Sequence, residues 1–368
     1  MIIIRVDASV NMGSGHVIRC ITLAEGLQTK GAKVAFICRD LAGNLISLIQ
    51  QNGFEVHVLP KFIDALQGIK NESWIDNYKE KWCQDAQQTV SILSQYNPID
   101  WIIVDHYALD YKWEQWVGDY SKKIMVIDDL LDRKHYCHIL LDQNIELENH
   151  NYDNSLVTDG KILSGGKYII LRRIFAEEKW KKRQRDGRIK RIMLFFGGGD
   201  VDNETAKALQ AVTNIRVKDM VVDVVVGASN PHKQQIEEIS TQIGANFYCQ
   251  IDHIHRLMGQ ADLFIGACGT TTWERFCLGL PGIIASVADN QATAAEILAK
   301  HNLLVNLGCA KQVKVTDYEF AISSLMLNPQ FVLDMSIRSK EFIDGLGTIR
   351  IIDEMLDDGI DEHEDREV

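Results

Sequence analysis

The feature that most constrains this chain is a repeated pairing. A short, β-branched apolar run ends in a cluster of Gly or Asp, and a helical pattern follows it. The first run is Ile2–Val6, followed by Gly13, Ser14, Gly15 and His16. Residues 34–38, 54–59, 101–104, 124–127 and 139–141 repeat it, with helical stretches at 17–29, 44–51, 74–96 and 113–120. In the first helix Ile18, Ile21 and Leu27 fall near one stripe, the face predicted to be buried. Strands this apolar, alternating with helices, predict an α/β fold with a parallel sheet covered on both faces.

The alternation stops at 177–191, which holds Lys179, Lys181, Lys182, Arg183, Arg185, Arg188, Lys190 and Arg191, and reads as a helix end plus a solvated linker. It then restarts, with runs at 192–196, 221–226, 263–266 and 282–286 and helical patterns at 231–243, 271–278 and 291–301. The 368 residues suit two such domains at about 150 residues each. The expected division is a first doubly wound domain over 1–165, a linker over 166–190 and a second domain over 191–345. A helix over 346–356 and an acidic, disordered tail over 357–368 complete it.

Charge and cysteine usage narrow the function classes. The net charge is −12. The tail holds seven acidic residues and one Arg, so it supplies 1 − 7 = −6 of that total. The remaining body is mildly acidic and shows no basic stacking surface, so no nucleic-acid partner is expected. Trp74, Trp82, Trp113 and Trp116 read as core or interface residues. No apolar stretch approaches a spanning helix, so no stable membrane insertion is expected. The segment from Met1 to Asp7 lacks a basic leader, and none of the eight Cys forms a C-x-x-C pair. A cytoplasmic protein with reduced thiols is expected, of open oligomeric state and compatible with a monomer. His253 with His255, and His135 with Cys137 and His138, lack partners at metal spacing, so no metal or other cofactor is expected.

The chemistry gathers at strand ends. Gly13, Ser14, Gly15 and His16 let the backbone turn and open a helix whose N-terminus suits an anion. His16 is a candidate base, although a glycine turn with an incidental His has the same spacing. The dinucleotide pattern G-x-G-x-x-G fails at Ile18. Gly197, Gly198, Gly199 and Asp200 form a second candidate cradle, in which Asp200 either caps the next helix or meets a ligand. Gly266 to Glu274 is the richest stretch. Gly269, Thr270 and Thr271 offer donors for a diphosphate, and Glu274 suits ribose hydroxyls or simply the helix dipole. Asn290 and Gln291 open a helix on the same sheet edge. Asp105, His106 and Tyr107, then Asp128 and Asp129, then Asp142, Gln143 and Asn144, end successive strands and predict one wall of a cleft.

These stretches, in this order, resemble the UDP-sugar hydrolases of pseudaminic acid biosynthesis, whose fold is similar to that of MurG-type glycosyltransferases. The resemblance rests on Arg5 to Ser9 with Gly13 to Arg19, Val104 to Tyr107, Ile127 to Asp129 and Leu141 to Asn144. In the second half it rests on Phe196 to Asp200, Gly227 to Pro231, and Gly269 to Pro281 with Asn290 and Gln291. Cys268 stands where Gly is expected. The resemblance implies a GT-B fold, two Rossmann-like domains facing across a cleft. It implies hydrolysis of UDP-2,4-diacetamido-2,4,6-trideoxy-β-L-altropyranose without a metal, with His16 as base. The small-molecule partner is then that UDP-sugar. UDP would lie with Gly198, Gly199, Thr270, Thr271 and Glu274, and Gly269 and Asn290 would belong to the UDP-sugar site. The sugar and water would lie with Gly13, Gly15 and His16, and Asp7, Asp105, Tyr107 and Gln291 would orient His16 or bind the sugar. A glycosyltransferase on the same fold and a non-catalytic nucleotide-sugar binder are the alternatives.

Overall fold

The computed structural model describes residues 1–10, 12–62, 74–143, 152, 155–180, 183–216 and 218–357. The side chains of Trp74, Asn77, residues 178–180, Asp289 and Asn290 lie outside the described set, as do Asn144 and the tail from 358 onward. The expected disorder of that tail therefore falls outside the described residues.

The chain divides into two units, Met1–Ile170 with Leu346–Val368, and Leu171–Gly345. In the first, the strands are β1 (Ile2–Val6), β2 (Val34–Arg39), β3 (Glu55–Leu59), β4 (Trp101–Asp105), β5 (Lys123–Ile127), β6 (Ile139–Asp142) and β7 (Lys161–Ser164). The helices between them are α1 (Gly15–Thr29), α2 (Ile46–Gln51), α3 (Trp74–Lys79), α4 (Trp82–Leu93) and α5 (Tyr111–Gly118). The second unit holds α6 (Arg173–Trp180), β8 (Arg191–Phe195), α7 (Glu204–Ile215), β9 (Val221–Val226), α8 (Lys233–Ile243) and β10 (Asn246–Cys249). It continues through α9 (Ile254–Gln260), β11 (Leu263–Gly266), α10 (Thr271–Cys277), β12 (Gly282–Ser286), α11 (Asp289–Lys300), β13 (Val305–Cys309), α12 (Val315–Leu327) and α13 (Pro329–Phe342). The last helix, α14 (Gly347–Leu356), returns to the first unit.

Both sheets are wholly parallel, in the orders β3-β2-β1-β4-β5-β6-β7 and β10-β9-β8-β11-β12-β13. Strand order reverses beside β1 and β8, and ligands bind such sheets at those switch points. In the first sheet Ile2, Ile4 and Val6 pack with Val17, Cys20 and Leu23 of α1, and Trp101, Ile103, Met125, Ile127, Ile139 and Leu141 join them. Ile3, Ile37, Ile102, Val104, Ile124, Val126 and Leu140 bury the other face against Ala86, Leu93, Trp113 and Val117 of α4 and α5. Each fully buried large aliphatic side chain stabilises the fold by about 1.5–3 kcal/mol.

Two expectations are corrected. Ile18 is not on the buried stripe; it is 37% exposed, and His16, Val17, Cys20 and Leu23 take that face. The stretch 166–190 is not a solvated linker. It carries α6, and buried Arg185 donates to the carbonyls of Met258, Ala261, Leu278 and Gly279 at the C-terminal ends of α9 and α10. A guanidinium suits those unpaired carbonyls and the negative end of the helix dipole. The helix expected over 346–356 is present as α14 and packs on the first unit: Trp101 Nε1 donates to the Met355 carbonyl at 3.1 Å, and Ile352 lies against Gly26 of α1. The edge strands β10 and β13 escape the sequence pattern because they are half-exposed and carry polar residues.

Candidate functional site

Alternation along the strands decides which polar strand ends meet. Trp101, Ile103 and Asp105 share the α1 face of the first sheet, as do Met125, Ile127 and Asp129, and Ile139, Leu141 and Gln143. Ile3, Arg5 and Asp7 share the opposite face, with His106 and Asp128. Helix α1 brings His16 and Arg19 to the first group, three residues apart and so on one side of the helix.

His16 Nδ1 lies 2.5 Å from Asp105 Oδ1. Arg19 grips the same carboxylate through two bonds, Nε to Oδ2 and Nη2 to Oδ1, both 2.7 Å. Its Nη1 reaches Asp129 Oδ2 at 3.2 Å and Gln143 Oε1 at 3.5 Å. The Tyr107 hydroxyl donates to Asp129 Oδ1 at 2.7 Å, and the His16 and Tyr107 rings meet edge to face with centroids 4.5 Å apart. Burial by itself would raise the Asp105 carboxyl. Arg19 and then His16 outweigh it and hold Asp105 well below the usual carboxylate range. Burial, then Asp129, pushes the Tyr107 hydroxyl well up. In the neutral ring, an Nδ1–H donating to ionised Asp105 leaves the lone pair on Nε2. Among the described residues Nε2 has no protein hydrogen-bond partner. Gly13, exposed and at φ +77°, has nothing within 4 Å of where a Cβ would sit. Gly15 opens α1.

Asp7 does not orient His16. It is buried with Arg5, which binds it at 2.6 and 2.9 Å, and it accepts from Tyr78 and from the Arg39 backbone N–H, both at 2.7 Å. Arg5, Arg39 and Tyr78 also bind Asp85, so two cations and two carboxylates balance inside the first unit. The physical reason is the two-residue period, which sends Asp7 to the face away from α1. His135, weighed as a metal ligand, lies instead between Glu114 at 2.7 Å and Asp128 at 3.0 Å.

In the second unit, the glycine loops leave room. No heavy atom lies within 4 Å of a Cβ built on Gly198, Gly199 or Gly269, whereas one on Gly227 would lie 2.4 Å from the Gly198 carbonyl. Asp200 caps α7, accepting from the N–H groups of Glu204 and Thr205 at 2.8 and 3.0 Å. Thr270 is exposed and Thr271 half-buried at the start of α10. One Glu274 oxygen takes Arg172 Nη2 at 3.0 Å, and burial raises the Glu274 carboxyl despite that cation. Gln291 Oε1 accepts from the Val287 N–H at 3.2 Å, fixing the turn before α11. Sequence reasoning passed over Arg19. Its position three residues after His16 on one helix was the signal that could have found it.

No protein-family model matches the chain. It is 26% identical over 289 residues to protein MJ1062 of Methanocaldococcus jannaschii, covering 76% of this chain and 54% of that one. It is 26% identical over 195 residues to the spore coat polysaccharide biosynthesis protein SpsG of Bacillus subtilis, covering 52% and 57%. The chain thus spans about half the length of these two curated relatives. The resemblance expected from the motifs is also present. The UDP-2,4-diacetamido-2,4,6-trideoxy-beta-L-altropyranose hydrolase of Campylobacter jejuni is 23% identical over 302 residues, 81% of this chain and 96% of that one. Among solved structures, MurG of Acinetobacter baumannii aligns with TM-score 0.62 at 11% identity, covering 96% of this chain and 98% of that one. The fold is GT-B, as expected. No helix among the described residues is long and apolar enough to cross a membrane.

Proposed function

We propose that this chain hydrolyses a UDP-sugar, UDP-2,4-diacetamido-2,4,6-trideoxy-β-L-altropyranose, to UDP and the free sugar, a step of pseudaminic acid biosynthesis. The observation that carries the reading is the His16–Asp105 pair at the carboxyl edge of the first sheet, with Nε2 unpartnered among the described residues. Similarity to the Campylobacter jejuni hydrolase over most of the chain supports it.

In this reading His16 Nε2 takes a proton from water as the water oxygen bonds to the anomeric carbon. The bond from that carbon to the diphosphate oxygen breaks, UDP leaves, and the configuration inverts. General-base assistance of this kind contributes about 10²–10⁴-fold. Asp105 holds the imidazole in the tautomer that can accept the proton and balances the imidazolium as it forms. Tyr107, edge-on to the ring, shapes the space beside it. Gly13 and Gly15 keep the start of α1 open to the substrate. In the second unit, Gly198, Gly199, Gly269, Thr270 and Thr271 bind the diphosphate through backbone N–H and hydroxyl groups. Glu274, with one oxygen on Arg172, takes the ribose, and Asn290 and Gln291 flank the nucleotide. Donors fixed before the reaction stabilise the charge growing on departing UDP, a role that requires no metal.

The test is incubation of the pure protein with a panel of UDP- and CMP-sugars in ¹⁸O water. UDP release without any acceptor, with the label in the sugar, is expected. Release only after an acceptor is added would make the chain a transferase. Label in UDP would place the cleavage at phosphorus.

A further inference from the structure

The guanidinium of Arg19 lies at the centre of the first unit's polar strand ends, yet the chemistry above gives it no part. Its contacts fall on three successive strands: Asp105 on β4, Asp129 after β5 and Gln143 after β6. Its side chain is only 10% exposed. Nε and Nη2 are committed to Asp105, and Nη1 to Asp129 and Gln143, so its donors point at protein rather than at a ligand.

We propose that Arg19 is the positioning residue of the reaction, fixing Asp105 so that His16 presents an unprotonated Nε2 to water. The inference rests on the hydrolase reading of the same site. Two bonds from one planar group to both oxygens of a carboxylate fix its plane as well as its position. Asp105 cannot rotate away from Nδ1 without breaking that fork. Arg19 also supplies the charge that offsets Asp105. Around the imidazole stand Arg19 and Cys20 from α1, Asp105 and Tyr107 from β4 and the turn after it, and Asp129 behind both Arg19 and Tyr107. Arg19 Nη2 lies 3.3 Å from the ring nitrogen itself. A carboxylate left alone beside an imidazole favours the imidazolium, which cannot act as a base.

The same unit contains the contrasting arrangement. His135 is held between two carboxylates, Glu114 and Asp128, and Arg133 pairs directly with Asp128 at 3.1 Å. Although burial opposes protonation there, the two carboxylates prevail and His135 is pushed up to about 9. One histidine is thus built to stay charged inside the fold. The other faces a single carboxylate already gripped on both oxygens by a cation.

The experiment compares Arg19→Gln and Arg19→Lys with the wild type by pH–rate profile and by ¹⁵N NMR of the His16 ring. For Arg19→Gln we expect kcat to fall about 10–100-fold with KM within twofold, as part of the general-base contribution is lost. Its acidic limb should move, because Asp105 is no longer neutralised. Arg19→Lys keeps the charge, so its limb should stay near the wild-type position while kcat falls. If Arg19→Gln does not fold, the lysine variant and its ring tautomer carry the test. An unmoved limb and an unchanged ring titration in Arg19→Gln would overturn the proposal. So would a rise in KM at constant kcat, which would make Arg19 a substrate ligand. For the lysine variant, a kcat equal to that of the wild type with the same ring tautomer would overturn it too. Should the wild type release no UDP, the hydrolase reading fails, while the NMR comparison still decides whether Arg19 governs His16.

Discussion

His16 and Asp105, 89 residues apart in sequence, meet through a bond of 2.5 Å between Nδ1 and Oδ1. The contact joins the first turn of α1 to the end of β4, on the sheet face that α1 covers. It sets which ring nitrogen carries the proton, and so which one can accept another.

Replacing His16 by Asn removes the base but keeps a side-chain N–H that can donate to Asp105. UDP release is expected to fall by at least about 10²-fold. UDP affinity, measured by calorimetry, should stay within about twofold of wild type, because the nucleotide contacts are assigned to the other unit. Unchanged turnover would remove the hydrolase assignment of this residue.

Asp105→Asn and Asp85→Ala separate catalysis from stability. The first should lower kcat with a smaller fall in the urea midpoint than the second, because Asn keeps the side-chain size and Asp129 still faces Arg19. The second removes a buried carboxylate that accepts from Arg5, Arg39, Tyr78 and Trp113. Breaking such a buried pair costs about 3–5 kcal/mol, which equilibrium unfolding would register. Equal stability of the two variants would contradict this division.

A pH dependence follows from His135. Its pKa is raised in the folded state from 6.5 to about 9 by Glu114 and Asp128. Its contribution to stability is therefore complete below pH 6.5 and is lost as the pH rises through 9. The amount is on the order of 3 kcal/mol. Unfolding at pH 6, 7.5 and 9.5 should show wild type converging on His135→Gln at the alkaline end. Parallel curves would mean that the ring is neutral throughout.

The glycine loop of the second unit makes a steric prediction. Gly199 has open space where a side chain would stand, so Gly199→Val should fold with an unchanged melting temperature and bind UDP at least about tenfold more weakly. Gly227→Ala is the opposite case: its Cβ would strike the Gly198 carbonyl, and the melting temperature should fall. A valine at 199 that binds UDP normally would exclude this loop from the nucleotide site.

Much of the architecture was legible in the sequence. Runs such as Leu263–Gly266 and Gly282–Ser286 carry apolar residues on both faces because both faces are covered, and that signature needs no partner to be read. The glycine clusters marked the strand ends for the same local reason. The edge strands β10 and β13 were missed because half-exposed strands lack the apolar run. The basic stretch around Arg185 was misread because a cation clasping two helix ends has the composition of a solvated linker.

The sequence by itself determined most of the elements, the parallel class of their sheets and the collection of His, Asp and Gly at one sheet edge, since these follow from local periodicity. Only the tertiary structure decided that His16 pairs with Asp105 rather than Asp7, and that Arg19 reaches β4, β5 and β6 at once. Alternation divides the strand-end residues into two sets, but the packing of α1 selects the set that meets His16. That choice depends on contacts between residues far apart in the chain.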